Sequence, residues 1–416
     1  MIIELAYNAS IKPILLRGIT VPNSNPTTYI KGFAWLLAGL VALGPLAIDA
    51  YLPAMPIMAA DLDTSLHNIE ITLSVFLIGF AAGQLIGGPI SDHFGRRLTI
   101  LVGLSLFTFG SVFIALGSSI ELLWFGRILQ AFGGGMGVVN TMAVVRDRYS
   151  GRDSAKILSK IVTIMMAAPL LAPFIGAFFL LISDWRSIFW FLAAYAVLLL
   201  FLLRRFLPET RQITEAPKQS AISRYISVLK HQRALGILFA VAFSNAGMFT
   251  FITTSPGVYM GYYGVSESVY PILFAVNIVA LSLSNQINIR VLQHFEPEQV
   301  LRTGQKLQLA VGAIMVASIL LFNLPIWLLV PQIMIFVGMQ GFIVANGMSR
   351  VADFFPHNSA TASALVSSSG FTMGALVGGL AAIMSDGQPI TMVAVMAACP
   401  LVGILLRVFI HKNAAE

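Results

Sequence analysis

Gly87-Gly88-Pro89-Ile90-Ser91-Asp92-His93-Phe94-Gly95-Arg96-Arg97-Leu98 is a short charged break between two apolar runs, at about 70–91 and 97–117. Each run supplies the roughly 20 residues that a helix needs to cross a bilayer. The glycines let backbones turn tightly and approach closely. Asp92 suits a helix N-terminus or a basic partner, and Arg96 and Arg97 favour the cytoplasmic face of a membrane. Outward from this break the apolar runs number twelve, at about 33–58, 70–91, 97–117, 121–145, 157–182, 186–206, 234–260, 268–289, 303–323, 326–348, 360–384 and 389–410.

Composition demands the same solvent. Of 416 residues, 57% are hydrophobic and 10% charged, against roughly 25% charged in an ordinary soluble domain. Twenty-five Lys and Arg with 18 Asp and Glu give 43 full charges, too few to cover a soluble globule of 44.9 kDa. Mean hydropathy is +0.85. Disordered, collagenous and coiled-coil classes are excluded, and a single cysteine, Cys399, excludes a disulfide scaffold. The expected class is an all-α polytopic membrane protein with the lipid bilayer as its outer solvent. Residues 1–32 lack the basic, apolar and small-residue order of a cleaved signal and read as a tail.

The net charge of +7 could suggest a polyanionic partner, but its placement argues against nucleic acid. Twelve spans put both termini on one side, and positive charge selects the cytoplasm. With the N-terminus there, 23 of the 25 basic residues fall on the cytoplasmic side. Arg186 falls on the other side and Arg127 inside a span. The polar stretch 207–233 divides the chain into six spans plus six, the pattern of transporters built from parallel repeats around a midplane site. The expected organisation is a cytoplasmic tail at 1–32, a six-helix bundle at 33–206, a cytoplasmic linker at 207–233 and a second bundle at 234–411.

Two full charges stand out inside spans. Arg127, in Arg127-Ile128-Leu129-Gln130-Ala131-Phe132-Gly133-Gly134-Gly135, lies about six residues from the end of its run. An arginine there is expensive, at about 2.5–3.5 kcal/mol on insertion scales, unless it is paired, faces water or snorkels. Asp49, in Asp49-Ala50-Tyr51-Leu52-Pro53-Ala54-Met55-Pro56, is a carboxylate among apolar residues, unless the prolines end the helix and leave it in water. Burial favours its neutral form and a nearby arginine its charged form, so a carboxylate alternating between the two settings would carry a proton. Tyr51 and Gln130 lie within a helical turn of these charges and are candidate walls of a substrate cavity. Asn245, Asn277, Asn285, Gln340 and Asn346 are polar positions within spans that fit either an interhelical hydrogen bond or a cavity wall. Phe249, Tyr259 and Phe342 fit either an aromatic wall or packing. The six histidines are scattered singly, so no metal site is expected. Glycines 133–135 lack the Gly-Lys-Ser/Thr ending of a phosphate loop.

These motifs carry a family resemblance. The spacing G-x-x-x-D-x-x-G-R-R after span 2 resembles motif A of the major facilitator superfamily, with His93 where Arg or Lys is common. The resemblance implies a cytoplasmic latch built on Gly88, Asp92, Gly95, Arg96 and Arg97. In it Asp92 faces the start of helix 11, and Arg96 or Arg97 pairs with Asp147. The segment beginning at Arg127 resembles motif B, with Ala131 replacing a glycine, and implies a place near the protonation site. Ala168-Pro169-Leu170-Leu171-Ala172-Pro173-Phe174-Ile175-Gly176-Ala177 resembles the antiporter motif C, with Ala172 and Ala177 in place of glycines. Small residues and a proline kink there would let helix 5 pack on its partner from the other half. Trp185-Arg186, Ile188-Phe189-Trp190 and Leu207-Pro208-Glu209-Thr210 resemble the family's borders of helix 6. D-x-Y-L-P-x-x-P from Asp49 narrows the resemblance to the bicyclomycin/chloramphenicol-resistance (Bcr/CflA) branch of the twelve-span drug:proton antiporters.

The family implies two six-helix bundles and export of small hydrophobic compounds in exchange for protons, with Asp49 and Arg127 coupling the two. It implies a bacterial inner membrane, a monomer and no cofactor beyond the coupling proton. Export of a physiological metabolite such as a nucleoside or amino acid is the alternative within the same fold. An integral membrane enzyme would need clustered histidines or carboxylates, a nucleophile elbow or a phosphate loop, and a channel would need repeated filter residues. None of these is in the sequence.

Overall fold

The computed structural model describes residues 30–149, 151–211, 220–322, 324–356 and 358–413. Most of the tail, including Lys12 and Arg17, and linker residues 212–219 lie outside the described residues. Twelve helices among the described residues are long and apolar enough to span a membrane, and they form two six-helix bundles without strands.

The first bundle contains α1 (Ile30–Asp49), continued by a 3-10 turn (Leu52–Ala54) and α2 (Met55–Asp61), then α3 (Leu66–Phe94), α4 (Arg96–Leu116), α5 (Ile120–Arg148), α6 (Gly151–Ile182) and α7 (Arg186–Phe206). A short α8 (Ala221–Lys230) leads to the second bundle. This is α9 (Gln232–Pro256) with a π turn (Gly257–Tyr262), α10 (Tyr270–Val291), α11 (Pro297–Leu321), α12 (Ile326–Gly338), α13 (Gln340–Asp353), α14 (Ser359–Met384) and α15 (Pro389–Asn413).

The first and tenth spans are each two helices. Pro53 and Pro56 occupy the opening positions of the short elements that follow α1, where a missing N–H is tolerated. They bend the span without ending it, so one span runs Gly32–Asp61. Ser65 and Ser119 cap α3 and α5 by accepting from Asn68 N and Leu122 N.

Alternating helix directions bring most basic connections to one end, here the basic end. At the opposite end, Asp61 accepts from Arg186 Nη1 (2.7 Å) and from Trp185 Nε1 (3.0 Å), tying α2 to α7. At the basic end the two bundles repeat one device with reversed signs. Arg96 of α4 pairs with Asp147 at the end of α5, and Glu298 of α11 pairs with Arg350 of α13. The halves meet along α3 and α14, where Phe80 packs edge-on against Phe371 at 5.0 Å and Ser367 Oγ donates to Gln84 Oε1.

Helix 5 of the sequence reading is α6, unbroken through Pro169 and Pro173. It contacts α10 of the other half, and its closest approach is within its own half. Gly176 lies so near the Ala50 carbonyl oxygen, in its own half, that a Cβ would overlap it. Ala172 and Pro173 are buried and Ala177 half-buried. Contact of α6 with α10 of the second half is less extensive. The small residues hold the backbone of α6 against the residue that follows Asp49.

Candidate functional site

Arg127 turns inward rather than snorkelling and is 1% exposed. Its Nη1 donates to the Ala47 carbonyl (2.9 Å) and to Gln130 Oε1 (2.9 Å). Gln130 Nε2 in turn donates to Ser111 Oγ (2.8 Å), which donates to the Phe107 carbonyl. The guanidinium carbon sits 3.8 Å from the centre of the Tyr51 ring and 5.0 Å from that of Phe189. Stacking of this kind is worth about 2 kcal/mol when desolvated. Thr72 commits its proton to the Ile69 carbonyl, leaving its oxygen to accept from Tyr51 OH at 3.1 Å. One arginine therefore joins α1, α5 and, through Tyr51, α3.

Asp49 ends α1 and is 4% exposed. Its Oδ1 has no hydrogen-bond partner among the described residues, and neither has Arg127 Nη2. No ion pair joins the two among the described residues. Tyr51, two residues after Asp49, lies under the guanidinium, so the acid and the base share a neighbour without touching. Tyr270 of α10, in the second half, is buried and bonded to Ser255 at 2.8 Å.

The motif at Gly87–Leu98 is a hub around Arg96. Its Nη1 donates to Asp92 Oδ1 and Ser91 Oγ (both 2.6 Å), and its Nε to Asp147 Oδ2 (3.1 Å). Ser91 donates to the Gly88 carbonyl. Gly95 adopts φ +103°, and Glu209 uses the space left by its missing side chain. That carboxylate accepts from Arg96 N (2.9 Å) and Arg97 N (3.2 Å), capping α4 where its dipole favours an anion. Arg97 Nη2 donates to the Arg204 carbonyl. Among the described residues no hydrogen bond or ion pair joins Asp92 to α14, the helix 11 of the sequence. The second partner of Asp92 is Arg224 of α8 (3.4 Å), because the linker folds back as a helix beneath α3. Tyr225 OH reaches the Leu85 carbonyl, and burial lifts this phenol above its ordinary value.

In the second half the polar residues divide. Gln340 donates to the Ser244 carbonyl, Ser244 Oγ to Gln308, and Gln308 to the Phe336 carbonyl, an interhelical chain. Asn346 bonds Asn288 (2.9 Å), and Asn277 returns to its own helix. Asn245 is half-buried beside Gly370. Phe249 lies 5.5 Å from Phe371, extending the Phe80–Phe371 contact across the seam. Phe371, Thr72 and Tyr270 had no local signal in the sequence. The reading that Asp49 and Arg127 are the only full charges in spans is also corrected. Glu70 is 1% exposed because α3 begins at Leu66, and Arg407 is buried with its Nε on Gln305. No three metal-ligating side chains cluster among the described residues.

Two bundles of membrane-spanning helices meeting at a seam, with an unpaired acid and base buried beside it, define an integral membrane transporter rather than an enzyme. The chain belongs to the Major Facilitator Superfamily, whose sequence profile matches residues 37–379. A bicyclomycin resistance protein homolog of Haemophilus influenzae is 32% identical over 94% of this chain and 98% of its own length. A chloramphenicol resistance protein of Pseudomonas aeruginosa is 34% identical over 72% and 75% respectively. The multidrug resistance protein MdtL of Shigella dysenteriae is 31% identical over 89% and 93%. These relatives are those of the Bcr/CflA branch. Among solved structures, a D-xylose–proton symporter superposes with a TM-score of 0.73 at 17% identity, covering 92% of this chain and 97% of that one.

Proposed function

We propose that this chain is a proton-coupled exporter of small hydrophobic, neutral or cationic compounds. It works as an antiporter by alternating access in a bacterial inner membrane. The basic end and both termini are cytoplasmic. Residues 33–206 and 234–411 are the two bundles that rock, and 207–233 is the cytoplasmic linker. The observation that carries this reading is the open pair. Asp49 and Arg127 are sealed in one core, each with a free hydrogen-bonding position and no bond between them.

A buried ionised carboxylate without a partner is unfavourable by several kcal/mol, so Asp49 is sealed as the neutral acid. It takes its proton from the outer side and yields it when the site faces the cytoplasm and Arg127 Nη2 becomes its partner. Substrate binding competes for the same place. The driving force suffices, at about 2.3 kcal/mol per charge per 100 mV plus about 1.4 per pH unit. The Phe80–Phe371–Phe249 set supplies a wall for flat apolar molecules, and the Asp92–Arg96–Asp147 hub with Arg224 forms the cytoplasmic latch. Protons are the coupling ion, and no cofactor enters the cycle.

The relatives' names make chloramphenicol and bicyclomycin the first substrates to try. In everted vesicles, an imposed proton gradient should drive uptake of the substrate and an uncoupler should stop it. Asp49→Asn should abolish the gradient-driven component. Undiminished gradient-driven uptake by that variant removes the role given to Asp49.

A further inference from the structure

Glu70 has no place in the mechanism above, yet it is as deeply buried as Arg127. It lies one turn into α3, at the outer end, where the first half meets the π turn after α9. Its Oε1 rests on the backbone of Gly257, where a Cβ would come within 2.7 Å of it. Its Oε2 has no hydrogen-bond partner among the described residues. It borders a cavity of about 420 Å³ shared with Gly257, Tyr262 and Asp386. A carboxylic acid is therefore clamped at a contact that must separate whenever the outer side opens.

We propose that Glu70 is a second proton-binding site of the transport cycle, placed at the outer gate, where proton uptake is a condition for closure. Closing the gate buries the carboxyl against Gly257, and only the neutral acid can be buried there without a counter-charge. Opening returns it to water, where an ordinary glutamate ionises with a pKa near 4.3.

The groups around it do not replace that proton. His67 lies on its own helix, Tyr262 on the π turn and Asp386 on the connection between α14 and α15. None of them hydrogen-bonds or ion-pairs with Glu70 among the described residues. Asp386 Oδ1 is engaged with Gln388 N and Thr391 Oγ1. Of the elements packed on α3, α14 carries no ionisable residue, and Asp61 of α2 is engaged with Arg186 and Trp185. On α5, Arg127 is engaged with Ala47 and Gln130, while Glu121 is exposed in the first turn. Above the open-state pKa the closed-to-open ratio therefore falls as pH rises, by up to about tenfold per unit for one linked proton. The inference rests on the proposed proton-driven cycle but assigns the outer gate its own proton, separate from that of Asp49.

The reporter is Ser74→Cys in a Cys399→Ala background. Ser74 is buried one turn deeper on the same seam, against Gly379 of α14. A membrane-impermeant methanethiosulfonate is applied from outside between pH 5.5 and 7.5. Rates are divided by those of Gly261→Cys, which is exposed on the same cavity and corrects for thiol ionisation and local charge. In the Asp49→Asn background the corrected rate should still rise with pH, approaching tenfold per unit. Adding Glu70→Gln should flatten it. Glu70→Ala is the second variant should the first not assemble, and should also give a flat profile. A slope that survives removal of the Glu70 carboxyl overturns the proposal, as does a slope abolished by Asp49→Asn alone. A pH-independent rate in the protein with both acids intact also overturns the proposal, whereas failure of gradient-driven uptake in everted vesicles is what overturns the proton-coupled reading on which it rests.

Discussion

Gly95→Ala tests the reading of the latch most sharply, because two separable effects meet at one Cβ. The residue adopts φ +103° and ψ 153°, a region that only glycine populates freely, so a side chain there is disfavoured by about 1–3 kcal/mol. The same Cβ would occupy the space of the Glu209 carboxylate, coming within 2.8 Å of its carboxyl carbon. Displacing Glu209 breaks its bonds to Arg96 N and Arg97 N. Both are charge-assisted but solvent-exposed, so together they are worth about 1–2 kcal/mol. Glu209→Ala alone therefore loses about 1–2 kcal/mol and Gly95→Ala about 2–5. The double variant should lose no more than Gly95→Ala, since the cap is already gone. The assay is the midpoint temperature for loss of the monodisperse species in detergent. The predicted order is wild type, then Glu209→Ala, then Gly95→Ala level with the double variant. A double variant destabilised by the full sum of the singles refutes the argument that Gly95 makes room for the cap.

Arg127→Lys keeps the charge but loses the plane that stacks on Tyr51 and moves the donor from the position where Nη1 serves both Ala47 and Gln130. Losing one charged hydrogen bond, about 1.5–3 kcal/mol, should reduce transport kcat/KM by about 10–100-fold in proteoliposomes while the protein still purifies as a monodisperse species. Phe371→Ala removes the ring between Phe80 and Phe249 and should weaken binding of an aromatic substrate by about 0.5–1.5 kcal/mol, measured as Kd by calorimetry. Arg224→Ala and Asp92→Asn should each loosen α8, a ten-residue helix too short to be stable alone. Hydrogen exchange of its amides should accelerate about 2–5-fold in either variant and no further in the double, because one contact is lost in all three.

The sequence carried the spans well because a bilayer imposes a length and a composition on each one. Local breaks were less legible. Pro53 and Pro56 mark a bend in span 1, and the tenth span breaks at Met339, between α12 and α13, where Gly338 and Gln340 carry no decisive turn signal. In the linker, α8 was hidden in a polar stretch, since its helical periodicity spans only ten residues. Asp49 and Arg127 were readable because a full charge in an apolar run is rare. Glu70 stands as the first residue of its run at about 70–91, where a charge reads as a helix end, whereas α3 begins a turn earlier at Leu66. Thr72, Tyr270 and Phe371 matter only through partners far along the chain, such as Tyr51, Ser255 and Phe80, and no local pattern marks such contacts. The retained Ala172, Pro173 and Gly176 spacing marked a close approach, but not that its partner is Ala50 in the same half.

The central claim is that Asp49 holds a proton which substrate binding displaces. Purified protein in weakly buffered detergent near neutral pH, mixed with saturating chloramphenicol or bicyclomycin, reports this through a pH-indicating dye. The account predicts proton release on binding by the wild-type protein, and none from Asp49→Asn although calorimetry shows that it still binds. Equal release from Asp49→Asn, or binding to the wild type without release, would contradict it.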